Sequence, residues 1–244
     1  MKLQLFLSHN GVCSRRRALE LIQKGIVSVN GQVVHEPSIQ IDPVKDKIQV
    51  SSQFIPNKTF TYVVLNKPGG YVTTKSDRFA EKTVVDLLPQ NLKHLVPVGR
   101  LDKDTEGLLL LTNDGEVNYR LTHPKFNIAK TYLVRINGKL NLENKKRLEQ
   151  GILIEGQRTA PAKVNEMKFL KDTTEFLMII HEGRKRQIRL MVEAIGHKVL
   201  YLKRIAQGPL SLGNLKTGQW RKLSEEEINQ LKKCSNSPVS QQPR

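Results

Sequence analysis

The apolar residues of this chain are arranged in short runs that end at turn-forming residues. Leu108–Leu111 is soon followed by the turn sequence Asn113-Asp114-Gly115, and Phe176–Ile180 is a second run of the same kind. Runs of roughly four to eight apolar residues bounded by turn signals are typical of buried β-strands. None approaches the roughly 20 apolar residues that a membrane-spanning helix needs. The sequence therefore predicts a globular fold built around short buried strands.

Helical and extended patterns are mixed along the chain. Ser14 is a suitable N-cap and Gly25 a suitable C-cap for the first clear helix, and Asn30-Gly31 marks a hairpin turn. Because helices and strands do not alternate with the regular spacing of βαβ units, we predict an α+β fold with a largely antiparallel sheet. The main predicted helices cover residues 15–24, 116–121, 142–151 and 186–195, and the main predicted strands cover 62–65, 108–112, 131–136 and 176–180.

The charge of the chain points to an anionic partner. Forty Lys and Arg against 23 Asp and Glu give a formal net charge of +17. Such an excess favours association with polyanions, which leaves nucleic acid and anionic membrane as candidates. A membrane-surface helix would carry aromatic residues on its apolar face, whereas the single tryptophan lies in Gly218-Gln219-Trp220. We therefore expect RNA or DNA as the partner and no membrane.

Other sequence signals indicate a cytoplasmic protein without a bound cofactor. The two cysteines, Cys13 and Cys234, lie far apart and are expected to be free thiols. The N-terminus has a single Lys and a very short apolar run, unlike a secretory signal. The chain shows no Gly-rich phosphate loop, nicotinamide fingerprint or metal-ligand spacing. We expect neither cofactor nor metal.

Three arginines stand at the start of the first clear helix. Arg15, Arg16 and Arg17 oppose the helix dipole there, which is mildly unfavourable unless their charge serves another purpose. Contacts with RNA phosphates would supply that purpose, and a solvated basic patch is the alternative.

The surrounding segment resembles the S4 RNA-binding domain over about 50 residues. The resemblance is carried by Ser14-Arg15-Arg16-Arg17-Ala18 and by Val29-Asn30-Gly31. In that family a helix pair and a hairpin form a basic surface that binds structured RNA. Residues 1–60 hold eight Lys or Arg against four Asp or Glu, a net charge of +4, which agrees with RNA binding.

A carboxylate flanked by basic residues precedes the Leu108–Leu111 run. Arg100 and Lys103 lie on either side of Asp102 and would favour its ionised form. An ionised carboxylate is suited to act as a nucleophile or a general base. Taken locally, Asp102 or Asp104 would as readily stabilise a turn, as loop aspartates usually do.

Four motifs in order resemble the RsuA/RluB-type branch of the pseudouridine synthases, which act on ribosomal RNA (rRNA). The resemblance covers roughly residues 2 to 230, and position 185 departs from it with Lys in place of the expected polar residue. The motifs are Asn66-Lys67-Pro68-Gly69-Gly70 with Thr73-Thr74, the segment from Gly99-Arg100-Leu101-Asp102 to Asn113-Asp114-Gly115, Lys130-Thr131-Tyr132, and Glu182-Gly183-Arg184-Lys185-Arg186-Gln187-Ile188-Arg189.

This resemblance implies roles for three catalytic residues. Asp102 matches the essential aspartate, Tyr132 the tyrosine that lies against the target base, and Arg189 the arginine that pairs with the aspartate. The reaction breaks the N1–C1′ bond of uridine and rejoins the uracil through C5. The aspartate would either attack or stabilise C1′, as glycosidase carboxylates do, or assist removal of a ribose proton. Isomerisation needs no redox partner or group donor.

The resemblance also implies an RNA-binding set, a partner and a domain organisation. The partner would be rRNA or a ribosomal precursor particle, bound by a monomer. We predict an S4-like domain and linker over residues 1–60, a catalytic domain over 61–233 and a disordered tail over 234–244. The expected RNA-contacting residues are Arg15, Arg16, Arg17, Arg100, Lys130, Arg184 and Arg186.

Two other functions fit part of this pattern. A non-catalytic rRNA-binding assembly protein would share the charge and the S4-like segment, but it would not need Asp102, Tyr132 and Arg189 together. A methyltransferase should show a Gly-rich loop after its first strand, and the proline in Asn66-Lys67-Pro68-Gly69-Gly70 fits that poorly. Among rRNA substrates, the pattern favours the large subunit over the small one.

Overall fold

The computed structural model of the protein describes residues 1–57, 59–75 and 81–236. Spatial contacts divide the chain into two compact units. The first comprises residues 1–61 together with 112–115, and the second comprises residues 62–111 together with 116–244.

The first unit packs two helices on a small antiparallel sheet. Its four strands are ordered β2-β1-β3-β4. Ser14 caps the second helix as predicted, since its side chain accepts a hydrogen bond from the backbone N–H of Arg17. Leu3, Phe6 and Ile22 are fully or almost fully buried in its core. The elements are α1 (Leu3–His9), α2 (Arg15–Gln23), β1 (Val27–Val29), β2 (Gln32–Val33), β3 (Ile48–Val50) and β4 (Gln53–Phe54).

The second unit is built around a nine-stranded sheet and four helices. Short 3-10 helices cover Val84–Leu87, Gln90–Leu92 and Pro124–Phe126. The strands are β5 (Tyr62–Lys67), β6 (Val96–Pro97), β7 (Glu106–Thr112), β8 (Lys130–Asn137), β9 (Leu153–Ile154), β10 (Gln157–Arg158), β11 (Lys163–Leu170), β12 (Thr173–Ile180), β13 (Val199–Gln207), β14 (Leu210–Ser211) and β15 (Trp220–Lys222); the helices are α3 (Gly115–Thr122), α4 (Leu142–Gln150), α5 (Gln187–Glu193) and α6 (Glu225–Asn236).

The large sheet is mainly antiparallel. Its order is β11-β12-β8-β13-β7-β5-β15, with β14 paired to β13 and β6 paired to β7, while β9 and β10 form a separate hairpin. β11, β12, β8 and β13 form successive antiparallel pairs, and β13 runs parallel to β7. The predicted α+β fold with a largely antiparallel sheet is confirmed.

The apolar run of β7 is explained by burial on both faces of the sheet. Leu109 and Leu111 belong to one hydrophobic cluster, whereas Leu108 and Leu110 belong to a second. Because successive side chains of a strand point to opposite faces, only a strand covered on both sides requires such an unbroken run. The loop that precedes this strand is therefore anchored to a strand that is buried on both faces.

Several elements differ from the sequence-based expectations. Strands β11, β13 and β15 and helix α6 were not predicted, and β4 lies within residues 51–58, where Pro56 and Asn57 predict a linker. Helix α6 continues through Asn236, so the expected tail starting at residue 234 begins too early. The rest of that tail, residues 237–244, lies outside the described residues. None of the helices that the structure describes is long and apolar enough to span a membrane.

Candidate active site

A cleft of about 180 Å³ opens in the second unit beside the start of β7. Five parts of the chain meet there: the loop before β7, the end of α3 with the segment that follows it, the start of β8, the connection from β12 to α5, and the end of β13. The cleft brings together six of the ten residues expected at the site, namely Arg100, Asp102, Lys130, Tyr132, Arg184 and Arg186.

Asp102 lies in the loop that leads into β7, and the loop is fixed on one side by a buried lysine. Lys67, at the end of β5, is fully buried, and its ammonium donates hydrogen bonds to the carbonyls of Asp102 (3.1 Å), Lys103 (3.1 Å) and Thr105 (2.8 Å). Burial lowers the pKa of Lys67 to about 8, against the attraction of Asp104, Glu106 and Asp102. These contacts satisfy a cation that would be costly to bury alone.

A threonine fixes the same loop from the other side. The hydroxyl of Thr73 donates to the carbonyl of Leu101 at 2.7 Å and accepts from the backbone N–H of the same residue at 3.2 Å. Lys67 and Thr73 therefore hold the backbone on both sides of Asp102. Among the described residues, no hydrogen bond or ion pair engages the half-buried carboxylate of Asp102, which lines the cleft. The loop is thus positioned without using the group that faces the cleft.

The position of Arg189 corrects the expected pairing. Its guanidinium forms an ion pair with the carboxylate of Asp104 at 3.1 Å and also donates to the carbonyl of Asp104 at 3.3 Å, so its partner is Asp104 and not Asp102. The turn from Asp102 to Thr105 explains this, because it leaves Asp102 in the cleft lining while the Asp104 side chain contacts α5. Arg186 adds a longer contact of 3.7 Å to the same carboxylate. Arg189 therefore links α5 to the loop.

Tyr132 lies at the floor of the cleft on β8. Its side chain is only 8% exposed, and it lines the cleft together with Asp102. In the strand pairing it stands opposite Arg204 of β13. No hydrogen bond within the described part of the chain engages its hydroxyl. The ring thus combines an apolar body with a polar atom that has no partner inside the protein.

Two cationic side chains, Lys130 and Arg204, line the cleft with Tyr132. Arg204 is almost fully buried and donates from Nε to the carbonyl of Leu108 at 2.8 Å. Lys130 donates to the carbonyl of Ile128 at 3.2 Å. Burial and then the guanidinium of Arg204 lower the pKa of Lys130 to about 8, while Glu182 acts in the opposite direction. The end of the cleft formed by β8 and β13 is therefore positively charged and suited to an anionic group.

The arginines that line the cleft differ in how strongly other parts of the protein engage them. Arg184 pairs with Glu182 at 3.2 Å and donates to the carbonyls of Gln157 and Arg158 in the β9–β10 hairpin. Glu182 also accepts from the side chain of Gln187 at 2.7 Å. These contacts indicate that Arg184 mainly stabilises the position of this connection against the β9–β10 hairpin. By contrast, Arg100 is exposed at the cleft, without an ion-pair partner in the described part of the chain.

Sequence reasoning singled out the motifs of Lys67 and Thr73 without assigning a role to either residue, and it missed Arg204. A lysine two residues after the apolar run Tyr62–Leu65 was the available signal, because a buried group of this kind needs several acceptors nearby. Arg204 carried no comparable signal. In the first unit, Arg15, Arg16 and Arg17 are all exposed, and Arg17 forms a surface ion pair with Glu20 at 2.6 Å.

The fold and this cleft can be compared with known proteins. Residues 61–194 match the family described as RNA pseudouridylate synthase, and residues 1–48 match the S4 domain. The ribosomal large subunit pseudouridine synthase B of Bacillus subtilis (strain 168) is 42% identical over 95% of both chains. An uncharacterized RNA pseudouridine synthase of Aquifex aeolicus (strain VF5) is 39% identical over 96% of this chain and 94% of its own. A crystal structure of a pseudouridylate synthase, 33% identical, superposes with a TM-score of 0.67 over 95% of this chain and 99% of that one.

The matches define an RNA-modifying isomerase with an S4 domain at its N-terminus. The chain belongs to the RNA pseudouridylate synthase family. The resemblance in the sequence motifs is therefore confirmed, and the enzyme converts uridine in RNA to pseudouridine.

Proposed function

We propose that this enzyme isomerises one specific uridine of rRNA, with large-subunit rRNA favoured over small-subunit rRNA. The observation that carries the proposal is the unengaged carboxylate of Asp102, held in a cleft with Tyr132 by a loop that Lys67 and Thr73 fix in place. The choice of substrate rests on the Bacillus subtilis relative, whose name is that of a large-subunit enzyme.

The isomerisation of uridine requires an ionised carboxylate beside an extruded base. The N1–C1′ bond breaks, the uracil turns, and a bond from C5 to C1′ forms, after which the C5 proton leaves and N1 carries a hydrogen. Asp102 either attacks or stabilises C1′ as positive charge develops there, or it assists removal of a ribose proton. Either role requires the carboxylate to be held at a fixed place before the substrate arrives, as the loop contacts provide.

The other residues of the cleft would bind the RNA and position the reacting groups. Tyr132 would stack on the extruded uracil, which has lost its neighbours in the RNA strand. Lys130, Arg100 and Arg186 would contact phosphates around the target nucleotide. Arg189 would act as a positioning residue through its ion pair with Asp104.

The partner proposed for the whole protein is rRNA or a ribosomal precursor particle, bound by a monomer in the cytoplasm. The S4 domain and the net charge of +17 support an extended RNA contact.

Mapping pseudouridines in rRNA tests this function directly. In a strain that lacks the gene we expect one uridine of large-subunit rRNA to stay unmodified, and the purified enzyme should restore pseudouridine at that position in the extracted RNA. Release of tritium from RNA labelled at uridine C5 provides a rate, because the C5 hydrogen is lost in the reaction. A complete pseudouridine map in the deletion strain, together with no tritium release by the enzyme, would contradict the proposal.

We expect RNA affinity to fall as the pH rises through about 8. Lys130, whose pKa is lowered to about 8, is cationic below that pH and loses its charge above it, so its phosphate contact weakens with rising pH. Lys130→Arg stays charged throughout. Dissociation constants measured from pH 7 to pH 9 should therefore show a smaller loss of affinity for this variant. Because Lys67 also titrates near pH 8, the difference between the two proteins, and not the wild-type profile alone, is the decisive quantity. Equal pH dependence of the dissociation constants of the two proteins would show that Lys130 does not contact the RNA.

Neutralising the arginines at the start of α2 should weaken RNA binding and reduce its salt dependence. Replacing Arg15, Arg16 and Arg17 together by Gln removes up to about three phosphate contacts, each worth roughly 0.7–0.9 in the slope of log affinity against log salt. Turnover at saturating RNA should be largely retained. Binding isotherms over a range of salt concentrations measure the slope. An unchanged slope would show that these exposed residues form only a solvated patch.

A further inference from the structure

An exposed group of aromatic rings lies at the mouth of the cleft and has no role in the function proposed above. We call it the aromatic rim; it consists of Tyr119 at the end of α3 and of His123 and Phe126 in the segment that follows. The ring centroids of Tyr119 and His123 are 5.0 Å apart, and those of Tyr119 and Phe126 are 5.7 Å apart. His123, with its neighbour Pro124, lines the same cleft as Asp102. The rim is therefore continuous with the candidate active site.

The rim combines apolar ring surface with positive charge. The ammonium of Lys125 lies 5.1 Å from the ring centroid of Tyr119 and 4.9 Å from that of Phe126. Phe126 is half-buried and packs against a hydrophobic core, which anchors the group. Tyr119 is 44% exposed, whereas the other four tyrosines are buried or half-buried. Tyr119 therefore stays accessible to solvent although its ring contacts Phe126 and Lys125.

An aromatic surface beside the cleft could replace a stacking contact that is lost when a uridine is extruded from the strand. When the target base leaves the strand, the adjacent base loses one stacking neighbour as well. Single-stranded bases are commonly stacked on aromatic side chains while basic residues neutralise the backbone. The rim offers both, next to the cleft that takes the extruded base.

We propose that Tyr119, packed against the tilted ring of His123, forms a stacking platform for the nucleobase adjacent to the target uridine, with Lys125 contacting its phosphate. The inference rests on the proposed function, since it requires a uridine to enter the cleft. It makes the rim a determinant of substrate affinity and assigns no group there to the isomerisation itself.

Kinetics of rim variants on the unmodified rRNA of the deletion strain test the proposal. Tyr119→Ala should raise KM roughly 5- to 150-fold, the range expected for the loss of one stacked base, while kcat at saturating RNA is retained. Tyr119→Phe and Tyr119→Trp keep the stacking surface and should stay close to wild type. Phe169→Ala, at a position 58% exposed on β11, removes an exposed ring that does not line the cleft and serves as the matched control.

A fluorescence measurement separates stacking from an indirect effect on the fold. The rRNA segment that contains the target uridine is synthesised with 2-aminopurine on its 5′ side in one probe and on its 3′ side in another. Wild type should quench one of the two probes on binding, and Tyr119→Ala should not.

An enzyme that leaves rRNA unmodified overturns the proposed function and this inference with it. An active enzyme whose Tyr119→Ala variant keeps its KM and its quenching, or whose Tyr119→Phe variant is as impaired as Tyr119→Ala, overturns the inference alone.

Discussion

We expect Asp102→Asn to abolish pseudouridine formation and to leave RNA affinity nearly unchanged. The substitution keeps the shape of the side chain and removes its charge, so it deletes the group that would act at C1′ or on a ribose proton. Loss of a positioned acid or base typically lowers a rate by roughly 10²- to 10⁴-fold. The fold should be unaffected, because Lys67 and Thr73 hold the backbone of this loop and the Asp102 carboxylate has no partner in the described part of the chain. Tritium release and a filter-binding isotherm on the same RNA measure the two quantities.

Asp104→Asn provides the matched control for that experiment. Asp104 lies two residues away, is about half exposed and contacts Arg189 and Arg186. The Arg189 side chain is only 15% exposed, but asparagine keeps an oxygen that can still accept a hydrogen bond from it, so the rate should fall by less than about tenfold. If Asp102→Asn retains more than a few per cent of the normal rate, or if Asp104→Asn is the more damaging change, the assignment of Asp102 is wrong.

The fold was predictable where one local signal was strong. The run in β7, the Ser14 cap of α2 and the Asn30-Gly31 turn each specify a local structure by themselves, and all three are found. β13 was missed because Val199–Gln207 carries Lys203 and Arg204 in its middle and has no regular alternation. The burial of Arg204 depends on a carbonyl of β7 that lies almost 100 residues away in the chain, and no local pattern reports such a partner.

The same distinction between local and long-range information applies to the candidate site. Sequence motifs singled out Asp102 and Tyr132, and the structure brings both into one cleft; Asp102 lies just before β7 and Tyr132 near the start of β8. The partner of Arg189 could not be read in this way, since Asp102 and Asp104 are both carboxylates of the same turn. Only the direction of that turn decides which of the two meets α5, and here it is Asp104. The family resemblance predicted an ion pair between Arg189 and an aspartate, and the backbone geometry selected the partner.

Tyr132→Phe should bind RNA normally and turn over poorly. The substitution keeps the ring that would stack on the uracil and removes only the hydroxyl. That hydroxyl has no hydrogen-bond partner in the described part of the chain, so its removal leaves no buried group unsatisfied and the protein should remain stable. A poor turnover would therefore assign the phenol to the substrate, where it would move a proton or orient the extruded base. Single-turnover tritium release at saturating RNA separates this effect from binding.

Tyr132→Leu removes the ring as well and separates stacking from the role of the hydroxyl. We expect it to lose, in addition to turnover, roughly 1–3 kcal/mol of RNA affinity, the contribution of one stacked base. Since Tyr132 is only 8% exposed, thermal melts of both variants must accompany the kinetics. If Phe retains substantial turnover and Leu does not, stacking is the main role of this residue. If both folded variants turn over at the wild-type rate, Tyr132 is a core residue and the base does not lie against β8.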